Sequence, residues 1–321
     1  MSIGAEQRYY LKLKAVYYYY EKDYTQTEIA EMLNVSRITL GKLLKEAKEE
    51  GMVKIEITDV RNVRQLLELE ARLKDQYQLL DVKVVDCVEN DRNEINRKIA
   101  VSAAKYVEHM LRSNMKVGIA WGRTIEMMVD YLNENRNIKG IELVTMMGGA
   151  GTAESKIQPN IIAQRLLEKY NGKGYILNAP YLCQTEELCN AIKEEPHIKE
   201  VLEMAKFTDI ALVGIGQRPT IENCRETGYH FTDSMVRQLE EAGAVGDICA
   251  RFFDVNGRPC STEISNKLVG VDIEALPGMR KVVALGGGPS KWDSVLGALR
   301  GGYIDVLITD KFTAQKVLER T

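Results

Sequence analysis

Residues 24–53 read YTQTEIAEMLNVSRITLGKLLKEAKEEGMV, and their pattern predicts two short helices joined by a tight turn. Thr25 followed by Glu28 makes a capping box, in which the hydroxyl takes an orphan amide at the helix start while the carboxylate reaches back. Ile29, Ala30 and Leu33 then share one face. Asn34 ends the first helix, Val35 packs the turn, and Ser36 is placed to cap the second helix. In that second helix Leu40, Leu43, Leu44 and Ala47 form an apolar stripe, with Arg37, Lys42, Lys45 and Lys48 outside it. A helix-turn-helix puts its second helix in the major groove, N-terminal residues nearest the base edges. Arg37, Thr39 and Lys42 are therefore expected at base edges and Lys45 and Lys48 at phosphates. Thr25, Gln26 and Ser36 complete the expected DNA-contacting set.

Working outward, Gly51 is expected to stop the second helix. Val53, Ile55 and Ile57 alternate with Lys54 and Glu56, which predicts a wing strand. Upstream, residues 6–21 predict a supporting helix with Tyr9, Leu13, Val16 and Tyr20 at helical spacing. The run Tyr17–Tyr20 is assigned to core and dimer packing rather than base stacking. The DNA-binding domain is thus expected over 1–57 and a second domain over 58–321. Residues 58–80 should form a connecting helix that also packs on a partner subunit, because Val63, Leu66, Leu67, Leu69, Leu73 and Tyr77 give a partial apolar spacing.

The chain has 321 residues, 45% hydrophobic and 28% charged, which fits an ordinary globule of about two domains. Its net charge of −3 would repel DNA, so any contact must be confined to the basic helix. No apolar run approaches the roughly 20 residues needed to span a bilayer, and MSIGAEQRYY has no apolar signal core, so a cytoplasmic location without membrane partners is expected. The six cysteines form no CxxC pair and the three histidines are scattered. No metal site or other cofactor is expected, only reduced structural thiols.

From about residue 81 the pattern changes. Apolar runs at 82–85, 116–121, 141–147, 174–179, 209–215, 281–286 and 305–309 alternate with amphipathic stretches. Continuous apolar strands separated by helices predict an α/β domain with a doubly wound, mostly parallel sheet. In such sheets ligands bind past the strand C-termini. Two glycine-rich turns stand there. Gly122-Arg123-Thr124 leads into a helix whose free amides, with Arg123 and the Thr124 hydroxyl, suit a phosphate. Gly286-Gly287-Gly288-Pro289-Ser290-Lys291 is expected to bring backbone to an oxyanion, with Lys291 adding a compact charge. Neither turn has P-loop or GxGxxG spacing, so no dinucleotide is indicated. Asp247 is a candidate acceptor for sugar hydroxyls, and Gly148 and Gly149 are expected to shape the pocket wall.

On VSRITLGKLLKEAKEEGMV, GIAWGRT, GGAG, NAP, GAVGDICARFFD and the tail VVALGGGPSKWDSVLGALRGGYIDVLITDKFTA, the chain resembles the SorC family of bacterial sugar-binding transcriptional regulators. The likeness runs from about residue 8 to the C-terminus. It implies a second domain like that of sugar-phosphate isomerases, serving as a sensor of a phosphorylated sugar effector. It also implies Gly122, Arg123 and Thr124 on the phosphate side, Asp247 at the sugar, and Lys291 in the effector site. The resemblance further implies a homodimer or homotetramer that binds a pseudo-palindromic operator and represses a carbohydrate catabolic operon. The family often has Pro after Ser-Arg, followed by Val-Ser-Arg; here Ile38 and Leu40-Gly41-Lys42 stand instead, and Gly41 costs the helix about 1 kcal/mol relative to Ala. The alternative reading is a sugar-phosphate isomerase or deaminase with Asp247 as base and Lys291 as electrophile or phosphate clamp. The basic helix argues for a regulator, not an enzyme.

Overall fold

The computed structural model describes residues 5–54, 63–149, 158–227 and 230–320. The chain divides into two compact units, Met1–Arg61 and Asn62–Thr321. The expected junction at 57/58 and the wing residues Ile55 and Ile57 lie outside the described residues.

In the first unit α1 spans Ala5–Val16 and runs into a short π-helix, Tyr17–Glu21. The helix-turn-helix follows as α2, Gln26–Met32, and α3, Arg37–Glu49. The capping box at Thr25 and Glu28 is formed, Asn34 turns the chain at φ 51°, and the Ser36 hydroxyl accepts from the Thr39 amide at 3.1 Å. Leu40, Leu43, Leu44 and Ala47 are buried as the spacing predicts. Helix α3 closes in a Schellman motif: Gly51 at φ +74° donates to the Lys48 carbonyl, and Met52 to that of Ala47.

The supporting helix turns a different face inward from the one expected. Lys12 and Ala15 are buried, whereas Tyr9, Leu13 and Tyr20 are exposed and Val16 is only partly buried. Ala15, without bulk, joins the cluster of Ile29, Ala30, Leu40 and Leu44. Lys12 is held there by an ion pair with Glu50, which no local pattern announces. Of the tyrosine run, Tyr18 and Tyr19 pack on the core while Tyr17 and Tyr20 stay exposed.

The second unit opens with α4, Val63–Tyr77, inside the expected connecting segment. Its strands are β1 Asp81–Val85, β2 Lys116–Ile119, β3 Glu142–Thr145, β4 Lys173–Tyr175, β5 Ile210–Gly214, β6 Ala244–Ile248, β7 Arg251–Asp254, β8 Val282–Leu285 and β9 Val306–Asp310. Seven of them form one sheet in the order β1-β9-β8-β5-β2-β3-β4, with every pairing parallel. Strand neighbours alternate between two apolar clusters. Val117, Ile119, Leu143, Leu212, Val283 and Ile308 join one; Val144, Ala211, Val213, Ala284 and Leu307 join the other. A strand that buries both faces must be apolar throughout, which is why these segments read as unbroken runs.

Helices cover both clusters. The first takes α5 (Arg92–Met110), through Ile95, Ile99 and Ala103, and α6 (Arg123–Tyr131), through Ile125 and Met128. The second takes Leu69 and Leu73 of α4, with Val295 and Leu299 of the helix Trp292–Arg300. From β2 the chain moves to β3 on one side, and from β5 to β8 on the other. The sheet therefore reverses direction between the adjacent strands β2 and β5, the place where open α/β sheets hold ligands. The hairpin β6–β7 stands apart from this sheet as an antiparallel pair.

Candidate effector cleft and recognition helix

A cleft of about 90 Å³ lies at that reversal, lined by residues from the ends of β2, β5 and β8 and from the hairpin. Beyond β2, Gly122 adopts φ 136° and serves as N-cap of α6 without a side-chain cap. The first amides of α6 are thus not covered by a capping side chain, and with the helix dipole they favour an anion. Thr124 is buried, and its hydroxyl donates to Oδ1 of Asn96 on α5 at 3.3 Å. Arg123 and Arg92, the first residues of α6 and α5, bring charge to the same lining.

Lys291 enters the cleft from the N-cap of the helix Trp292–Arg300, and its ammonium donates to the Ile215 carbonyl at 2.6 Å. Burial lowers its pKa to about 8; Asp247 opposes that shift, while Arg92 and Arg123 add to it. Asp247, on β6 and only 4% exposed, accepts from the Ala250 amide at 3.1 Å. Its carbonyl takes the Gly216 amide at 2.8 Å. The Asp247 carboxylate fills the place where a side chain at 216 would begin, so glycine is required there. The tight turn between β6 and β7 puts Cys249 and Ala250 at φ 54° and 61°, a left-handed pair without glycine.

Of the expected effector residues, Gly122, Arg123, Thr124, Asp247 and Lys291 converge on this cleft. Gly148, Gly149, Gly287 and Gly288 are not part of its lining. Gly148 lies against the Ala179 carbonyl and Pro180, where a Cβ would not fit, and donates to the Val269 carbonyl; Gly149 donates to Ala179. Gly148 permits this close backbone approach, whereas a Cβ at Gly149 would meet only the Gln158 side-chain oxygen at 3.0 Å. The second glycine turn receives an oxyanion, but one of the protein's own: the Gly288 amide donates to Oδ2 of Asp310 at 2.8 Å, and Gly287 leaves room for that carboxylate. The turn therefore positions Lys291 and does not itself border the cleft.

Sequence reasoning did not assign Arg92, Asn96, Gln217, Arg218, Asn223 or Phe252, which also line the cleft. Gly214 and Gly216, following the β5 run, were the available hint for Gln217 and Arg218. Arg218 pairs with the buried Asp293 at 2.6 Å. All six cysteines are buried thiols outside any disulfide, and burial raises Cys224 and Cys249 to about 12. Among the described residues no cluster of His, Cys, Asp and Glu is arranged to hold a metal, and no helix is long and apolar enough to cross a membrane.

On the first unit, Arg37, Thr39, Lys42, Lys45 and Lys48 are exposed. Two acids near the end of α3 pair with α1: Arg8 Nε donates to Glu46 at 3.1 Å, and Lys12 pairs with Glu50 at the C-cap. Lys45 keeps a loose pair with Glu49 at 3.8 Å. The hydroxyls of Thr25, Ser36 and Thr39 are engaged in the caps, with Ser36 and Thr39 bonded at 2.8 Å. Gln26 is half-buried. Ile38, 76% exposed at the start of α3, is an apolar side chain presented to solvent beside these cations.

A helix-turn-helix joined to an all-parallel sheet unit with a cationic cleft at its switch point defines a transcriptional regulator with a small-molecule sensing domain. The chain belongs to the sugar-binding domain family, whose model matches residues 61–319, and its relatives are SorC-type regulators. It is similar to a deoxyribonucleoside regulator of Bacillus subtilis (strain 168), with 31% identity over 308 residues, covering 96% of this chain and 97% of the relative. It is also similar to the sorbitol operon regulator of Klebsiella pneumoniae, with 29% identity over 310 residues, 96% of this chain and 98% of the relative. The crystal structure of that full-length regulator, SorC, superposes with a TM-score of 0.74 at 28% identity over 99% of this chain and 100% of its own. A transcriptional regulator from Streptococcus pneumoniae TIGR4 gives a TM-score of 0.74 at 25% identity, over 80% of this chain and 98% of its own.

Proposed function

We propose that this regulator binds a pseudo-palindromic operator as a homodimer or homotetramer, represses a carbohydrate catabolic operon, and is controlled by a phosphorylated sugar. The observation that carries this reading is the meeting, in one cleft, of the α6 N-terminus with Arg92, Arg123 and Lys291 beside the Asp247 carboxylate. The cations and free amides suit a phosphate dianion; a carboxylate beside them suits hydroxyls and repels a second anion. In this reading Arg37 and Lys42 meet base edges, Lys45 and Lys48 meet phosphates, and the exposed Ile38 suits a thymine methyl. Thr25, Ser36 and Thr39 act chiefly by holding the helices in register, since their hydroxyls serve the caps. Effector control requires the sugar phosphate to favour the arrangement that does not bind DNA, by several kcal/mol for a nearly complete switch.

Catalysis is not part of this reading, because a basic helix-turn-helix precedes the cleft and the relatives are regulators. The test is a gel-shift assay on the promoter of the protein's own operon with a panel of sugar phosphates. Lys291→Ala and Arg123→Ala should lose the ligand response and retain the shift; Arg37→Ala should lose the shift and retain ligand binding. Failure of the wild type to retard any genomic fragment at low salt defeats the proposal, as does a Lys291→Ala protein that responds normally.

A further inference from the structure

Beyond β5 the chain continues as Ile215-Gly216-Gln217-Arg218, all bordering the cleft. Gln217 is only 6% exposed, and its amide nitrogen Nε2 is closed off from solvent without a hydrogen-bond partner. A buried amide left unpaired forfeits its bonds to water and is rare in folded proteins. The unpartnered hydroxyls of Tyr170 and Thr309 are not cleft residues; Gln217 is. Its neighbour Gly216 is fixed to Asp247 through the amide-to-carbonyl bond and the packed carboxylate. One strand end therefore brings a free donor at Gln217 and an acceptor at Asp247 to the same cleft. A hydroxyl answers both needs, because it accepts and donates at once; a phosphate oxygen or a carbonyl only accepts.

We propose that Gln217 selects which sugar phosphate this regulator answers, donating from Nε2 to a hydroxyl oxygen on the sugar side of the ligand. The proposal rests on the sugar-phosphate reading of the cleft. It leaves the phosphate to Arg92, Arg123 and Lys291. A ligand that lacks the matching hydroxyl leaves the amide buried and unpaired, and this is how such a site rejects analogues.

The experiment compares full-length wild type with Gln217→Met, which keeps the volume and removes the donor. Affinities come from thermal-shift titrations with inorganic phosphate and with ribose 5-phosphate, 2-deoxyribose 5-phosphate, glucose 6-phosphate and fructose 6-phosphate. The deciding quantity is the affinity for the best sugar phosphate divided by that for inorganic phosphate. In Gln217→Met this ratio should fall about tenfold or more, and the protein without ligand should melt no lower than wild type, because an unsatisfied buried donor has gone. A ratio within about threefold of wild type, a change below the net worth of one hydrogen bond, overturns the proposal. Should Gln217→Met not fold, Gln217→Glu carries the same comparison. Wild type that binds none of the sugar phosphates defeats the reading of the cleft itself, and this proposal with it.

Discussion

If Lys291 holds the phosphate as proposed, ligand binding should depend on pH. Its ammonium is held near a pKa of about 8 by burial, with Arg92 and Arg123 adding to the shift and Asp247 opposing it. A phosphate dianion favours the charged ammonium, so above that pKa binding must take up a proton. Affinity for a sugar phosphate should then fall by up to about tenfold per pH unit above pH 8. Calorimetric titration between pH 7 and 9.5 checks this, and a flat profile removes Lys291 from the phosphate site. Stability moves the other way. A lysine whose folded pKa lies below its ordinary 10.5 binds fewer protons folded than unfolded between about 8 and 10.5, so this group adds stability as pH rises through that window. Gly216 offers a steric test at the same scale. A Cβ there would fall 1.8 Å from the Asp247 carboxylate oxygen. Gly216→Ala should cost about 1–3 kcal/mol of stability, as overpacking does, and abolish the thermal shift by ligand.

At the scale of elements, the recognition helix depends on its cap. Ser36→Ala removes the acceptor of the Thr39 amide and should cost about 1 kcal/mol, read as a lower melting temperature of the isolated first unit together with weaker DNA binding. Ser36→Asp should restore most of that loss, since a carboxylate also caps and suits the helix dipole. This helix was legible in the sequence because cap, stripe and Gly51 stop are all local. The strands were legible for a related reason: burial on both faces leaves a continuous apolar run. The inward face of α1 was not, because burying Lys12 depends on Glu50, far along the chain. The β6–β7 hairpin escaped notice because its left-handed turn residues are Cys249 and Ala250, where turn chemistry would lead one to seek Asn-Gly. In the cleft, the residues after β2 were readable from their strand-end position, and Asp247 from its place between a helical stretch and the apolar run ICARFF. The role of the GGG turn was not, since its partner Asp310 lies on another strand.

At the scale of the molecule, the division into Met1–Arg61 and Asn62–Thr321 predicts that DNA binding and ligand binding can be separated. The larger unit has its own sheet, and apolar clusters on both faces that draw, among the described residues, on Leu66 and those beyond it. The smaller unit has its own cluster, from Ala15, Ile29, Ala30, Leu40 and Leu44. Among the described residues, each of these clusters is built within one unit. A protein of residues 62–321 should therefore melt in a single cooperative transition and bind the same sugar phosphate within about twofold of the full-length affinity, while losing all retardation of operator DNA. The intact chain must differ in one respect. If ligand control works by shifting subunit arrangement, the sugar phosphate binds the full-length protein more weakly in the presence of operator than in its absence, by the same factor by which it weakens DNA binding. Ligand titrations with and without operator measure that factor from both directions. Equal ligand affinity in the two conditions would mean the cleft and the recognition helix are not coupled.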